Sequence, residues 1–389
     1  MRITIVIPTF YPAVIYGGPT FSSLYTCRAL AKQNQYVSVV TTNVNREKRL
    51  DVSTKDWVSM DGFRVRYFKE TITDRFSWDM LWEITPILKK SDVVHVQPIF
   101  NFSTLLTLWI CKRNNIPVFI SPRGAMGNWI MGQGLKFKKI WLNHLMKPLI
   151  TNARWFATSE QEKEEIKNHY SEAIVEVIPN GIELDEYVNA TTYSRREFMQ
   201  TYAGCQDTPD FILVSLGRLH KKKGYDILLP VIKRLRNSGV NLRLFIAGDD
   251  EGEKASLQSW ITENEMGETI YIIDPISGQN KINFLSNADL FVLTSHNENF
   301  GNVYAEALAA GTPIIASIYT PWLDVEKFGC GRTVDLNPDS IFDAIKNQLL
   351  NQDRSEVREL AQKYVAQFSW SNVGTKYIAY YNQCLKNTN

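Results

Sequence analysis

One stretch near the three-quarter point limits what this chain can become. The apolar run Ala288-Asp289-Leu290-Phe291-Val292-Leu293-Thr294 reads as a buried strand. A polar turn, Ser295 to Gly301, follows, and then a helical pattern from Val303 to Ala310. Asn302 is the expected N-cap, and Gly311 with Pro313 stops the helix. Strand, turn and helix in that order belong to a parallel α/β sheet, and such sheets bind ligands beyond the carboxyl ends of their strands. Glu298 lies in the turn, and Glu306 lies about two turns into the helix. Two carboxylates at that edge suit sugar hydroxyls and repel phosphate. The ligand expected there carries several hydroxyls and keeps any phosphates elsewhere. The turn's amides, from Asn299 to Tyr304, add donors for an electronegative group.

Glu298 and Glu306 have seven residues between them, Asn299-Phe300-Gly301 follows the first, and Ala310-Gly311-Thr312-Pro313 closes the stretch. This pattern resembles the signature of the retaining family-4 glycosyltransferases, which have the GT-B fold. Other segments carry the same resemblance. Gly217-Arg218-Leu219 with Lys223-Gly224 is similar to the family's loop, where the Arg and Lys hold a donor diphosphate. Pro179-Asn180-Gly181-Ile182 is similar to its crossover between domains. Ser121-Pro122-Arg123-Gly124-Ala125-Met126, Thr320-Pro321-Trp322 and Gly329-Cys330-Gly331 resemble a subgroup found among bacterial surface-polysaccharide (exopolysaccharide and O-antigen) enzymes.

The rest of the chain is consistent with two domains of that kind. With 389 residues it exceeds one typical core. Arg2 to Pro8 reads as a first buried strand, Thr9 to Pro19 as a loop holding Gly17-Gly18, and Thr20 to Gln33 as a helix burying Phe21, Leu24, Ala29 and Leu30. Val37–Thr42, Phe63–Phe68, Asp92–Gln97, Pro117–Ser121, Arg154–Ser159 and Val175–Ile178 read as further strands. G-x-G-x-x-G is absent, so no dinucleotide fingerprint is present. His95 alternates with apolar neighbours and reads as a packed side chain in preference to a catalytic one. After a boundary near residue 185, a basic helix from Thr192 to Tyr202 leads to a second set of strands at Phe211–Leu216, Leu242–Ala247 and Ile270–Pro275. Gly248 sits at the turn after the second of these, and the acidic loop Asp249 to Glu253 either caps a helix or lies near a nucleotide. A last helix, Ser371 to Leu385, presents Val373, Tyr377 and Tyr381 on one face.

Bulk properties exclude several classes. Forty-three basic against forty-one acidic residues give +2, which argues against a nucleic-acid footprint. Five scattered cysteines without a C-x-x-C pair indicate neither a disulfide framework nor a zinc site and fit a reducing cytosol. The start is too short for a signal sequence, and no uncharged run is long enough to span a bilayer. The Lys-rich, aromatic segment 134–150 places Phe137, Trp141 and Leu145 on one side of a helix. Two readings stand side by side for it: a surface helix packed on the first domain, or a peripheral contact with anionic lipid.

The expectation is therefore an α/β protein of the GT-B class. It has an acceptor-binding Rossmann-like domain at 1–185, a nucleotide-sugar-binding one at 186–369 facing it across a cleft, and a helix at 370–389 returning to the first. By resemblance, Glu298, Arg218 and Lys223 do the chemistry. Glu306, Asn299, Phe300, Gly301 and Gly248 bind the donor, with Glu306 on the ribose. Gly17, Gly18 and Arg123 serve the acceptor and diphosphate loop. Arg123 stands where many relatives have a His; a guanidinium binds phosphate or carboxylate but is no base. Relatives commonly have Gly where this chain has Asp274-Pro275, which leaves the nucleobase open. The expected activity is retaining, metal-independent and cofactor-free hexosyl transfer to a glycan or lipid-linked acceptor, in the cytoplasm or at the inner face of the cell membrane. An epimerase-like sugar-nucleotide enzyme and a non-catalytic sugar-binding protein are the alternatives.

Overall fold

The computed structural model describes residues 1–386 except 73–74, 133–134, 189, 191 and 352; of 128, 129 and 135 it describes the backbone alone. The chain divides into two compact units, Met1–Gly181 with Trp370–Asn389, and Ile182–Ser369. The sequence-based boundary at 185 falls within the second unit, at the start of the short helix Asp185–Val188.

The first unit is built on β1 (Arg2–Val6), β2 (Tyr36–Thr42), β3 (Val44–Asn45), β4 (Lys48–Arg49), β5 (Val58–Met60), β6 (Phe63–Phe68), β7 (Val93–Val96), β8 (Val118–Ile120), β9 (Arg154–Ala157) and β10 (Ile174–Val177). Eight of them form one sheet in the order β10-β9-β8-β7-β1-β2-β6-β5. The sheet is parallel except at β5, which pairs antiparallel with β6. The central strands are buried on both faces, which is why they read as unbroken apolar runs.

The helix Gly18–Lys32 starts two residues earlier than expected. Gly17 takes its N-cap place at φ 66°, a left-handed conformation, and Pro19 fits the first turn, where no amide partner is needed. Leu24, Ala29 and Leu30 are buried, but Phe21 is exposed. The closing helix Trp370–Lys386 packs on this unit, burying Val373, Tyr377 and Tyr381, with Trp370 stacked on Tyr25.

The second unit contains β11 (Phe211–Leu216), β12 (Leu242–Ala247), β13 (Ile270–Ile273), β14 (Leu290–Leu293), β15 (Ile314–Ser317) and β16 (Gly331–Val334). All pairings are parallel, in the order β13-β12-β11-β14-β15-β16. That is the Rossmann order. The chain winds outward from β11 in one direction and then from β14 in the other. Neighbouring strands whose connections leave in opposite directions open a crevice at their carboxyl ends. Here that switch point lies between β11 and β14. In the first unit the corresponding pair is β1 and β7.

Candidate functional site

Topology and motif converge on one place. The loop after β11 is Gly217 to Gly224, and the loop after β14 is Thr294 to Gly301. These are the two segments that carry the predicted charges, and the structure interlocks them. The His296 amide donates to the Lys222 carbonyl at 2.8 Å, and the Thr294 hydroxyl donates to the Gly224 carbonyl at 2.7 Å. Gly224 is required: its φ is +68°, and a Cβ there would lie 2.1 Å from the Thr294 carbonyl oxygen.

The Lys223 ammonium folds over Gly217 and meets Glu298, Nζ to Oε1 2.6 Å. The Ser295 hydroxyl donates to the same oxygen at 2.8 Å. Glu298 is buried. Burial alone would push its carboxyl up. The charge and hydrogen bond of Lys223, helped by Lys222 and Ser295, outweigh that and hold it below the usual carboxylate range. Glu298 is thus an ionised hydrogen-bond acceptor and not a proton donor.

Aromatic side chains brace the end of β14 and the turn that follows Glu298. The Tyr304 hydroxyl donates to the Leu293 carbonyl at 2.8 Å, and the Trp322 indole donates to the Phe300 carbonyl at 2.7 Å. Phe300 is buried against Trp322, so its side chain braces the turn. Gly301, with φ 74°, stands at the N-cap of Asn302–Ala309. That corrects the sequence assignment. Asn302 is the first helical residue, because the chain needs a left-handed residue to turn into the helix, and glycine adopts that conformation without strain. Glu306, on that helix, pairs with Lys281 at 2.7 Å.

The remaining predicted cation is more open. Arg218 pairs with Glu251 at 2.7 Å, but its side chain is 64 % exposed. The acidic loop resolves into separate tasks. Asp250 caps the helix Lys254–Glu263 by accepting from the amides of Gly252, Glu253 and Lys254, while Glu251 faces Arg218. The loop is tied to Leu219, whose amide donates to the Asp249 carbonyl at 2.7 Å. Gly248 permits this closeness, since a Cβ there would lie 1.9 Å from the Gly217 carbonyl oxygen. Asp274, just past β13, pairs with Lys254 at 3.2 Å.

The first unit's switch point has a different character. The side-chain Nε2 of Gln97, just past β7, donates to the Ser23 hydroxyl at 3.0 Å. Arg123, past β8, sits at φ 56°; it donates from Nε to Gln97 at 2.8 Å and from Nη1 to Asn180 at 2.7 Å, and its Nη2 is buried without a hydrogen-bond partner. Its fork therefore ties the ends of β7 and β10 together within the unit, and does not project from the loop as an open anion clamp.

His95 is fully buried, with its ring nitrogens 2.9 Å from the Tyr381 hydroxyl and 2.7 Å from the Ser121 hydroxyl. Burial, with the nearby charge of Arg123, lowers its pKa to about 3, so it is neutral and packed. Gly17 and Gly18 form the turn into the first helix.

The Lys-rich segment does not form one regular helix. Gly134 lies outside the described residues. A short α-helix at Leu135–Ile140 passes into a π-helical stretch, Trp141–Met146, and a 3-10 turn, Lys147–Leu149. The change of pitch lets the Trp141 indole donate inward to the Ile99 carbonyl at 3.0 Å. Phe137 and Ile140 stay 62 % and 55 % exposed, and the Phe137 ring packs against that of Trp141, with centroids 5.8 Å apart. Among the described residues no helix is long and apolar enough to cross a membrane, and no group of three His, Cys, Asp or Glu side chains is placed to hold a metal ion.

The sequence reading missed Lys281, Ser295 and the partnership of Glu251 with Arg218. Lys281 lies in an unremarkable helix, Gly278–Ser286, and only the strand order brings it to Glu306.

Comparison with known proteins places this geometry in company. A model of the family described as "Glycosyltransferase Family 4" matches residues 16–186, and one described as "Glycosyl transferases group 1" matches 205–366. The chain is 25 % identical over 305 residues to a GDP-mannose:cellobiosyl-diphosphopolyprenol alpha-mannosyltransferase of Xanthomonas campestris, covering 77 % of this chain and 76 % of that protein. It is 28 % identical over 224 residues to a lipopolysaccharide 1,2-N-acetylglucosaminetransferase of Salmonella typhimurium, covering 53 % and 55 %. Among solved structures, Anabaena HepE in complex with UDP superposes with a TM-score of 0.74 at 14 % identity, covering 98 % of this chain and all of that one.

Proposed function

This chain belongs to family 4 of the retaining glycosyltransferases and has their GT-B fold, and from that premise we propose that the strand ends of its second unit hold a nucleoside-diphosphate sugar. The sugar passes to a hydroxyl of a glycan or lipid-linked oligosaccharide in bacterial polysaccharide biosynthesis. The observation that carries this reading is the Rossmann switch point between β11 and β14, furnished with two cations and flanked by two carboxylates.

In this reading Glu306 accepts the ribose hydroxyls and Glu298 accepts hydroxyls of the donor sugar. Backbone at Asn299, Phe300 and Gly301 completes the sugar's seat, and Gly248 lets the neighbouring strand end come close. Arg218 and Lys223 hold the diphosphate. As the glycosidic bond breaks, negative charge grows on the leaving phosphate oxygen, and fixed cations stabilise that state more than the ground state. Lys223 then divides its hydrogen bonds between Glu298 and the diphosphate, having three donors to give.

The acceptor oxygen bonds to the anomeric carbon on the face from which the diphosphate departs, and its proton goes to the leaving phosphate oxygen. No protein nucleophile is needed and the anomeric configuration is kept. The two cations take the place of a divalent metal in this scheme.

The Gly17-Gly18 turn, past β1, is the proposed acceptor side of the first unit, with Arg123 ordering the neighbouring loop. Phe137, Ile140 and Leu145, exposed among Lys136, Lys139 and Lys147, support a peripheral contact with anionic lipid, which would place the enzyme at the inner face of the cell membrane.

The test is transfer from a panel of nucleoside-diphosphate sugars to lipid-linked and free glycan acceptors in EDTA, with the product's anomeric configuration read by NMR. Transfer with retention is expected. Inversion, or a strict need for added metal, would contradict the scheme. Conversion of the donor sugar without transfer would favour an epimerase-like enzyme.

A further inference from the structure

We propose that Lys281 is a positioning residue of the donor site, which holds the Glu306 carboxylate so that it can accept the ribose hydroxyls of a nucleoside diphosphate. This rests on the reading of Glu306 as the ribose acceptor.

The helix Gly278–Ser286 contains a single charged residue, Lys281, and the helix Asn302–Ala309 contains a single charged residue, Glu306. Their neighbours Ile282, Asn283, Phe284 and Leu285 on one side and Ala305, Ala307 and Leu308 on the other are buried. The two lone charges meet, Nζ to Oε1, at 2.7 Å. The side chains are 25 % and 19 % exposed, so the pair is far less open to water and salt than Arg218 with Glu251.

The chemistry of the pair is suited to a diol. A carboxylate offers about four lone-pair positions on two oxygens. Lys281 engages one oxygen, and an ammonium only donates, so it never competes with a hydroxyl for the role of acceptor. Two adjacent ribose hydroxyls can therefore add to the carboxylate without displacing the lysine. When a ribose covers Glu306, water leaves. A carboxylate stripped of water and of any cation is strongly unfavourable, and Lys281 supplies the cation beforehand. It also fixes the carboxylate's orientation, so less side-chain freedom is lost on binding.

The experiment is calorimetric titration of the full-length protein in EDTA with UDP, GDP and ADP, then with the 2′-deoxy and 3′-deoxy forms of the one that binds. Wild type, Lys281→Met, Lys281→Arg and Glu306→Gln are compared, with thermal unfolding of each. Wild type is expected to prefer the ribonucleotide by roughly tenfold or more, since a site built for hydroxyls leaves groups unpaired without them. Lys281→Met should lose most of that preference by weakening the ribonucleotide alone. Lys281→Arg should keep it.

A Lys281→Met protein that retains the preference, or that weakens ribo- and deoxynucleotides equally, would overturn the proposal and leave Lys281 a staple between helices. The outcome in which Glu306→Gln loses the preference while Lys281→Met keeps it defeats this inference and spares the ribose reading. If Glu306→Gln keeps the preference, the ribose reading fails and takes the inference with it.

Discussion

The two units solve the same topological problem with different chemistry. Each has a parallel sheet wound outward from a central strand, and each has a switch point, β1 with β7 in the first and β11 with β14 in the second. In the second unit the ion pairs past the strand ends include Arg218–Glu251, Lys223–Glu298, Lys254–Asp274 and Lys281–Glu306. In the first, the same edge is knit by Gln97, Ser121, Asn180 and an Arg123 turned inward, over a neutral histidine and the tyrosines of the closing helix. A shared fold thus fixes where a ligand can sit but not which ligand. One edge is arranged around paired charges that a charged ligand can share, the other around hydrogen bonds that hold loops in place.

The strongest way to break this contrast is at Lys223 and Glu298. Removing the lysine by Lys223→Ala should lower transfer by roughly a thousandfold, as expected when a donor to developing charge is lost. It also leaves a buried carboxylate without its cation, so stability should fall by about 3 kcal/mol. In the double variant with Glu298→Ala that stability loss should shrink while transfer stays low. Steady-state transfer and urea unfolding of the singles and the double measure both; additive stability losses would show that the pair does not couple.

Gly248→Ala tests the backbone that carries the charges. Its Cβ would collide with the Gly217 carbonyl, so about 3 kcal/mol of stability and most donor binding should go together. A variant as stable as wild type would mean that the two strand ends separate freely.

In the first unit the expected signature is a pH dependence. His95 has a folded pKa near 3 against about 6.5 in an unfolded chain. Its contribution is complete above about pH 6.5 and is lost as the pH falls towards 3, because only the unfolded chain takes up the proton. Stability should therefore drop by about 2 kcal/mol between pH 6.5 and 5 through this residue, and the drop should be absent from His95→Gln. Equal slopes in the two proteins would refute a neutral, buried His95.

Much of the candidate site's placement is legible in the sequence because it lies in short range. Arg218, Lys223 and Glu298 each fall within a few residues of an apolar run, and a strand's end can be found from its own composition. The charges' partners were not readable. Glu251, Lys281 and Ser295 reach their places through strand order or a local turn, and no spacing announces that. Local conformation was also misjudged where propensity and geometry disagree. Asn302 is a good capping residue, yet the left-handed turn required Gly301. The 134–150 segment has helical spacing, yet it winds into a π-helical stretch at Trp141 so that the indole reaches the Ile99 carbonyl. The β5 strand, three residues long and only partly buried, has no apolar run to reveal it.

The central claim is that donor recognition resides in the paired charges of the second unit. Its most direct test is thermal shift of the full-length protein in EDTA with UDP, GDP and ADP, on wild type, Lys223→Ala, Glu306→Ala and Arg123→Gln. One nucleoside diphosphate should stabilise wild type and Arg123→Gln alike, and should do nothing for the other two. No shift with any of the three at millimolar concentration, or a shift abolished by Arg123→Gln and kept by Lys223→Ala, would contradict the account.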